Sequence, residues 1–130
     1  MLDRIYESTY ITIMKISSEQ LIQALADQTR LRSILLLKQE GELCVCELMY
    51  ALDIIQPKIS RHLALLRDAG LVSSRRQRQW IYYQLRNDLP SWAKDVIDSI
   101  QIGAKNSAPF SDDIKNLKNM PNRPSGACIA

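Results

Sequence analysis

Apolar side chains recur every three or four residues through the first half of the chain, which is the spacing of amphipathic helices. Ser18 is a candidate N-cap for a first helix, and Asp27 or Thr29 begins a second that ends near Gly41. A third, short helix covers about residues 45–52. A fourth begins with Pro57, whose missing N–H costs nothing in a first turn, and stops at Gly70.

The period then changes from helical to alternating. Residues 71–76 and 80–85 are rich in β-prone side chains and flank a short polar turn, so they predict a two-stranded hairpin. Apolar positions between Leu89 and Ile100 predict one more amphipathic helix. Two helices, a tight turn and a hairpin form the order of a winged helix-turn-helix, a mostly α fold with a small β-hairpin.

The chain has 130 residues, which suits one domain. We expect that domain to cover residues 18–102. Residues 1–17 have no clean period and are assigned as an N-terminal extension. The polar residues 103–130 contain three prolines and are expected to form a flexible C-terminal tail.

Charge is distributed unevenly along the chain. Residues 57–86 hold seven Lys and Arg side chains against one Asp, whereas residues 1–56 are net acidic. A solvated face normally mixes the two signs, so a basic block favours a polyanion, and DNA above all. The alternative is a winged helix that binds protein, and such binding would not weaken steeply with salt.

Helical spacing places the apolar side chains of the fourth helix on one side and small polar or cationic ones on the other. Arginine recognises guanine edges, and arginines of a wing contact phosphates or the minor groove. The predicted DNA-binding residues are Gln56, Lys58, Ser60, Arg61 and His62 in the helix, and Arg75, Arg76, Arg78 and Gln79 in the hairpin.

Cys44 and Cys46 stand where the third helix begins. One interpretation is that both are small buried hydrophobic residues. The other is that they form a redox site or a site for a soft ligand, and the dipole at the start of a helix favours this second interpretation because it stabilises thiolates. Asp3, Arg4 and Glu7 interrupt the N-terminus and no long apolar run is present. We therefore expect a cytoplasmic protein without membrane segments, in which structural disulfides are unfavourable.

The Cys-x-Cys spacing has a mechanical consequence in a regular helix. Two residues turn by about 200°, so both sulfurs cannot meet one atom unless the first turn deforms. We hypothesise that capture of a metalloid distorts this helix and, through it, the neighbouring DNA-reading helix. A trivalent metalloid accepts a third thiolate, and Cys128 or a small cellular thiol is a better candidate than the thioether of Met49.

The sequence resembles the ArsR family of metalloregulatory repressors, in particular its arsenical branch. The resemblance spans about residues 18–102 and is carried by ALADQTRLR (24–32), GELCVCEL (41–48), QPKISRHLALLRDAGLV (56–72) and WIYYQL (80–85). It implies an operator with two-fold symmetry, repression relieved by arsenite or antimonite, and no required cofactor. It also implies that Cys44 and Cys46 bind the inducer. A homodimer would form through the first and last helices, for which we assign Leu21, Leu25, Trp92, Val96 and Ile100.

Three residues depart from the family pattern. Met49 stands where a third cysteine is often found, which leaves two-point ligation or recruitment of Cys128 open. Ile55 replaces a serine that would cap the reading helix. Arg78 replaces a glycine of the wing turn, so this turn is either strained or of another type.

Three alternatives to an arsenical repressor concern metal or thiol chemistry. The same cysteines would also suit a sensor of cadmium, lead or oxidants. A zinc site on the last helix is disfavoured because that helix offers Asp95 and Asp98 but no histidine. A thiol enzyme such as an arsenate reductase is disfavoured because no phosphate-cradling loop or catalytic base accompanies the cysteines, so we expect no enzyme activity.

Overall fold

The computed structural model describes residues 16–124. In chain order its elements are α1 (Ser18–Leu25), α2 (Gln28–Glu40), β1 (Glu42–Cys44), α3 (Val45–Leu52), α4 (Gln56–Asp68), β2 (Val72–Gln77), β3 (Trp80–Leu85), α5 (Ser91–Ala104) and α6 (Phe110–Lys118). The helix-turn-helix is α3 and α4, and the hairpin of β2 and β3 follows it as predicted. No helix between residues 16 and 124 combines the length and apolarity needed to cross a membrane.

The sheet contains a strand that the sequence did not predict. β3 lies in the centre and pairs antiparallel with β2 on one side and with β1 on the other. β1 has only three residues, too few for a visible alternation. Gln77 pairs with Trp80, which leaves a two-residue turn whose first residue, Arg78, has a φ of +59°. The departure from glycine therefore places a bulky side chain in the left-handed region.

The core confirms which face of α4 is internal. Ile59, Leu63 and Leu66 have no exposed surface, and they pack with buried leucines of α2 and α3. Lys58 and Arg61 lie on the exposed face of the same helix. Burial of the apolar stripe therefore determines which side chains α4 presents to solvent.

The expectation of a flexible tail from residue 103 is wrong for the part of it that the structure describes. Phe110, Ile114 and Leu117 follow helical spacing, and Leu117 is 1% exposed in the core. The buried Asp113 accepts hydrogen bonds of 2.9 and 2.7 Å from Arg32 in α2, and these raise the pKa of Arg32. The polar composition of this segment hid its narrow apolar stripe.

Two of the residues assigned to a dimer contact belong instead to the core. Leu21 and Leu25 of α1 are 0% and 7% exposed within one protomer. The exposed apolar residue of α1 is their neighbour Ile22. On α5, Trp92 is exposed, and Val96 and Ile100 are partly buried. The helical pattern identified an apolar stripe but not whether this chain or another covers it.

The missing cap of α4 leads to a stability prediction. Ile55 is the N-cap, has extended backbone (φ −68°, ψ 153°) and provides no side-chain hydrogen bond. Its side chain is 71% exposed, so little packing would be lost by replacing it. We expect Ile55→Ser to raise the free energy of unfolding by about 1 kcal/mol, because the hydroxyl can accept the Lys58 N–H at the third position. Urea unfolding measures this, with Ile55→Ala as the control that removes the apolar side chain without adding a cap; equal stability of the two variants would contradict the prediction.

Candidate thiol site and nucleic-acid interface

The two cysteines lie together at the junction of β1 and α3. Cys44 is the last residue of β1 and the N-cap of α3, with extended backbone (φ −82°, ψ 163°). Cys46 is the second residue of the helix. The two are joined by a disulfide, with their Cα atoms 5.4 Å apart. The expectation that a disulfide is unfavoured here is therefore not met.

The same geometry corrects the mechanical hypothesis. That hypothesis assumed that both cysteines belong to a regular helix and point about 200° apart. Because Cys44 is in the strand conformation, its sulfur turns toward that of Cys46 while Val45–Leu52 remains helical. Two sulfurs can thus face one atom without any unwinding of α3.

A buried carboxylate stands beside the thiol pair. Glu47 has no exposed surface, and its Oε1 accepts a 2.9 Å hydrogen bond from the backbone N–H of Cys44. Its Oε2 accepts a 2.8 Å bond from Nε of Arg123. The Cys44-x-x-Glu47 spacing is that of a capping box and was a usable signal for Glu47. Arg123 comes from 76 positions away and had no local signal.

An open groove of about 360 Å³ adjoins Cys46, and Met49, Tyr50 and Met120 are among the residues that line it. Cys46 and Met49 are partly exposed, whereas Cys44 is fully buried. Between residues 16 and 124 no group of three or more His, Cys, Asp or Glu side chains is arranged to hold a metal ion. Cys128, the predicted third ligand, lies outside the described residues.

The outer face of α4 carries most of the predicted base-contacting side chains. Gln56, Lys58 and Arg61 are exposed and Ser60 is partly buried. No ion pair involves Lys58 or Arg61 in the part of the chain that the structure describes. These side chains are therefore available to a ligand.

His62 does not belong to this face. It is 7% exposed, and its Nδ1 lies 3.2 Å from Nη1 of Arg30. Since guanidinium nitrogens only donate, a hydrogen bond here requires Nδ1 to accept, as it does in the neutral imidazole. Burial lowers the pKa of His62, and the nearby Arg30 acts in the same direction while Asp27 opposes it. His62 thus holds the reading helix against the corner between α1 and α2, and the assignment to DNA contact is corrected.

The wing divides its arginines into two groups. Arg76, Arg78 and Gln79 are exposed around the turn, as a DNA-contacting wing requires. The guanidinium of Arg75 instead donates two 2.8 Å hydrogen bonds to Glu42 of β1 and lies 4.5 Å from the centre of the Tyr82 ring. The prediction that Arg75 contacts phosphate is therefore corrected, because Nε and Nη2 donate to Glu42 and Nη1 donates to Gln77 Oε1 at 2.7 Å, all within the protein.

Sequence comparison agrees with this architecture. Residues 27–74 match the family model described as bacterial regulatory protein, arsR family. The arsenic resistance transcriptional regulator ArsR2 of Pseudomonas putida is 49% identical over 84% of this chain and 93% of its own length. This chain belongs to the ArsR family. The arsenical resistance operon repressor of Escherichia coli is 57% identical to this ArsR-family protein over 61% of the chain and 68% of the repressor.

Solved structures confirm the winged-helix fold. HlyU from Vibrio cholerae superposes with a TM-score of 0.60 at 32% identity, over 67% of this chain and 90% of HlyU. The transcriptional repressor BigR from Xylella fastidiosa superposes with a TM-score of 0.58 at 25% identity, over 80% of this chain and 96% of BigR. The homodimeric winged helix-turn-helix DNA-binding domain Mb0332 from Mycobacterium bovis gives 0.55 at 27% identity, over 69% and 80%.

Proposed function

We propose that this ArsR-family protein is a homodimeric repressor of an arsenic-resistance operon, released from its operator when arsenite or antimonite binds the thiolates of Cys44 and Cys46. The observation that carries the proposal is the convergence of the two sulfurs at the start of α3, immediately before the reading helix α4. The names of the Pseudomonas putida and Escherichia coli relatives support arsenic as the signal.

Inducer binding requires the reduced pair. Two electrons and two protons convert the disulfide to two thiols, and cytosolic thiols such as glutathione supply them. Each thiol then replaces one hydroxide of arsenite: an arsenic–sulfur bond forms, an arsenic–oxygen bond breaks, and the hydroxide leaves with the thiol proton as water. The exposed edge of Cys46 along the groove provides the approach.

The third position on the metalloid is assigned to Cys128 or to a small cellular thiol. Arg123 supports Cys128, because its bond to the buried Glu47 holds a point five residues before Cys128 next to the thiol pair. Five residues of extended chain span up to about 17 Å, which is ample reach. Met49 packs against the core, which favours a structural role for its thioether.

The operator is recognised by two surfaces of each protomer. Gln56, Lys58, Ser60 and Arg61 enter the major groove, and Arg76, Arg78 and Gln79 of the wing contact the backbone or the minor groove. A two-fold dimer would present two such surfaces to a two-fold operator. Exposed apolar side chains of α1 and α5, Ile22, Trp92 and Ile102, support the pairing of these helices between protomers.

Release follows from reciprocal coupling between the thiol site and the operator. α3 and α4 are separated by only residues 53–55, where Asp53 is left-handed (φ +56°) and Ile54 N–H donates to Met49 O at 3.2 Å. An inducer that binds better to the DNA-free conformation lowers operator affinity by the same factor by which DNA lowers inducer affinity.

The proposal is tested by titrating the reduced protein onto an operator fragment with arsenite, antimonite, cadmium, zinc or lead added in turn. We expect arsenite and antimonite to raise the operator Kd by about 5- to 150-fold, the usual range of such coupling. Release by cadmium or lead alone would assign the site to another soft metal. Unchanged affinity in all arms would refute induction through the thiols.

A second candidate function is oxidant sensing by the same pair, and the disulfide favours it. A peroxide would take two electrons from the two thiols, forming the disulfide, water and an alcohol. The comparison of operator Kd for reduced and oxidised protein tests this directly. Equal values would exclude oxidant sensing at this site and leave capture of a metalloid or another soft metal.

Arg61 is the side chain of α4 whose loss should weaken the operator complex most. We expect Arg61→Ala to cost about 1–3 kcal/mol of operator binding because it removes an exposed cation from the reading face. Arg67→Ala is the matched control, with the same charge lost from an exposed position further along α4. Titrations at matched salt measure both, and an equal loss in the two variants would remove Arg61 from base recognition.

A further inference from the structure

One row of residues crosses the sheet from the thiol site to the wing. Cys44 in β1 pairs with Tyr82 in β3, and Tyr82 pairs with Arg75 in β2. Residues directly opposite each other in antiparallel strands place their side chains on the same face, with Cβ atoms about 5 Å apart. The thiol of Cys44, the ring of Tyr82 and the guanidinium of Arg75 are therefore consecutive neighbours.

A side-chain bridge closes this row. Arg75 extends over the Tyr82 ring, at 4.5 Å from its centre, and donates two 2.8 Å hydrogen bonds to Glu42, two residues before Cys44. β1 is thus tied to β3 by backbone pairing and to β2 by a bidentate ion pair that spans the central strand. Tyr82, which is 4% exposed, fills the space beneath the bridge.

We propose that the Glu42–Arg75 pair is a positioning pair that transmits occupancy of the thiol site to the DNA-contacting wing. The inference rests on the proposed function. It adds a second route, through the sheet, besides the route through the contact of α3 with α4. When Cys44 shifts to bind its ligand, β1 carries Glu42 with it, and Glu42 draws Arg75 along. The side chains of the adjacent Arg76 and of the turn residue Arg78, which contact DNA in our proposal, then change position relative to the DNA.

The role of the pair in signalling can be separated from its role in folding. The side chains of Arg75 and Glu42 are 49% and 30% exposed, so water can replace the lost hydrogen bonds when the pair is broken, and we expect the fold to survive. A merely structural pair would leave the inducer response unchanged when it is removed. A transmitting pair would lower the ratio of operator Kd values measured with and without arsenite.

The test is this ratio in reduced Glu42→Gln, a nearly isosteric change that removes the charge. We expect the Kd without arsenite to stay within about threefold of wild type and the ratio to fall by about threefold or more, as for residues that lie along a coupling route. Asp88→Asn is the matched control, because it breaks another bidentate pair, that of Asp88 with Arg86, beyond the end of β3. Its ratio should equal that of wild type.

Arg75→Gln and the double variant complete a cycle. If the two residues act as one pair, the double variant loses no more of the ratio than either single variant. Suppose that wild type gives a ratio of operator Kd values above one. If Glu42→Gln and Arg75→Gln both keep that ratio, this inference is overturned and the proposed function is left intact. A wild-type ratio of one overturns the proposed function, and the transmitting role with it.

Discussion

Cys46→Ser is expected to bind the operator with an affinity within about threefold of wild type and to lose its release by arsenite. Wild-type release of about 5- to 150-fold should fall to less than about twofold. The reason is that a serine hydroxyl is a far poorer ligand for a soft metalloid than a thiolate. Cys46 is also partly exposed, so the change leaves the core unaltered. Fluorescence anisotropy of a labelled operator fragment, with the protein kept reduced, measures both quantities.

Cys44 needs a different substitution. It is fully buried, and a serine there would place a hydroxyl in the core at a cost of about 1–3 kcal/mol. Cys44→Ala avoids that cost and should give the same loss of release. Cys128→Ser tests the third ligand: partial loss of release supports Cys128, and unchanged release assigns the position to an external thiol. Release like that of wild type from both Cys46→Ser and Cys44→Ala would refute the thiol assignment.

Asp113→Asn is expected to lower the free energy of unfolding by about 2–3 kcal/mol. Removing one partner of a buried ion pair costs about 3–5 kcal/mol, and we discount this because the Arg32 side chain is 15% exposed. The asparagine would keep one oxygen that can accept from Arg32, but the carboxylate charge and one of the two bonds would be lost, while the 3.0 Å hydrogen bond from Arg32 to Leu52 O would remain. Urea unfolding at neutral pH measures the change.

Asp112→Asn is the matched control for this prediction. Asp112 is exposed, and both aspartates lie in the first turn of α6, where a carboxylate gains from the helix dipole. Both variants lose that interaction, but only Asp113→Asn also loses the pair with Arg32. We expect the control to cost about 0.5 kcal/mol. Equal losses would mean that the ion pair adds nothing to the attachment of α6.

Local spacing was enough to predict the reading helix and its neighbours. The apolar stripe of Ile59, Leu63 and Leu66 specified both the helix and its inner face, because burial of one stripe is a property of the helical period itself. The hairpin was predicted from the change of period. The position of Cys44 at the start of a helix was predicted from the pattern of the residues that flank it. The departures at Ile55 and Arg78 were also visible, since caps and turns depend on single residue types.

Predictions about which partner a side chain contacts were less successful. Arg75 and His62 were assigned to DNA with the other basic residues, yet the first bonds Glu42, 33 positions away, and the second meets Arg30, 32 positions away. Leu21 and Leu25 were assigned to a second protomer and are covered by their own. Charge and hydropathy indicate which kind of partner a side chain requires, but they do not indicate which residue or molecule provides it.

At the thiol pair, too, the sequence predicted the chemistry of the site but not its geometry. The residue types and their spacing indicated a soft-ligand site, but only the strand conformation of Cys44 brings the two sulfurs together beside an intact helix. β1 exists because β3 pairs with it across about 40 residues, and α6 is held by Arg32 from 81 positions away. Periodicity and residue chemistry are local quantities and can be read along the chain. Strand pairing, ion pairing and burial depend on which distant segments meet, and the packed fold alone decides that.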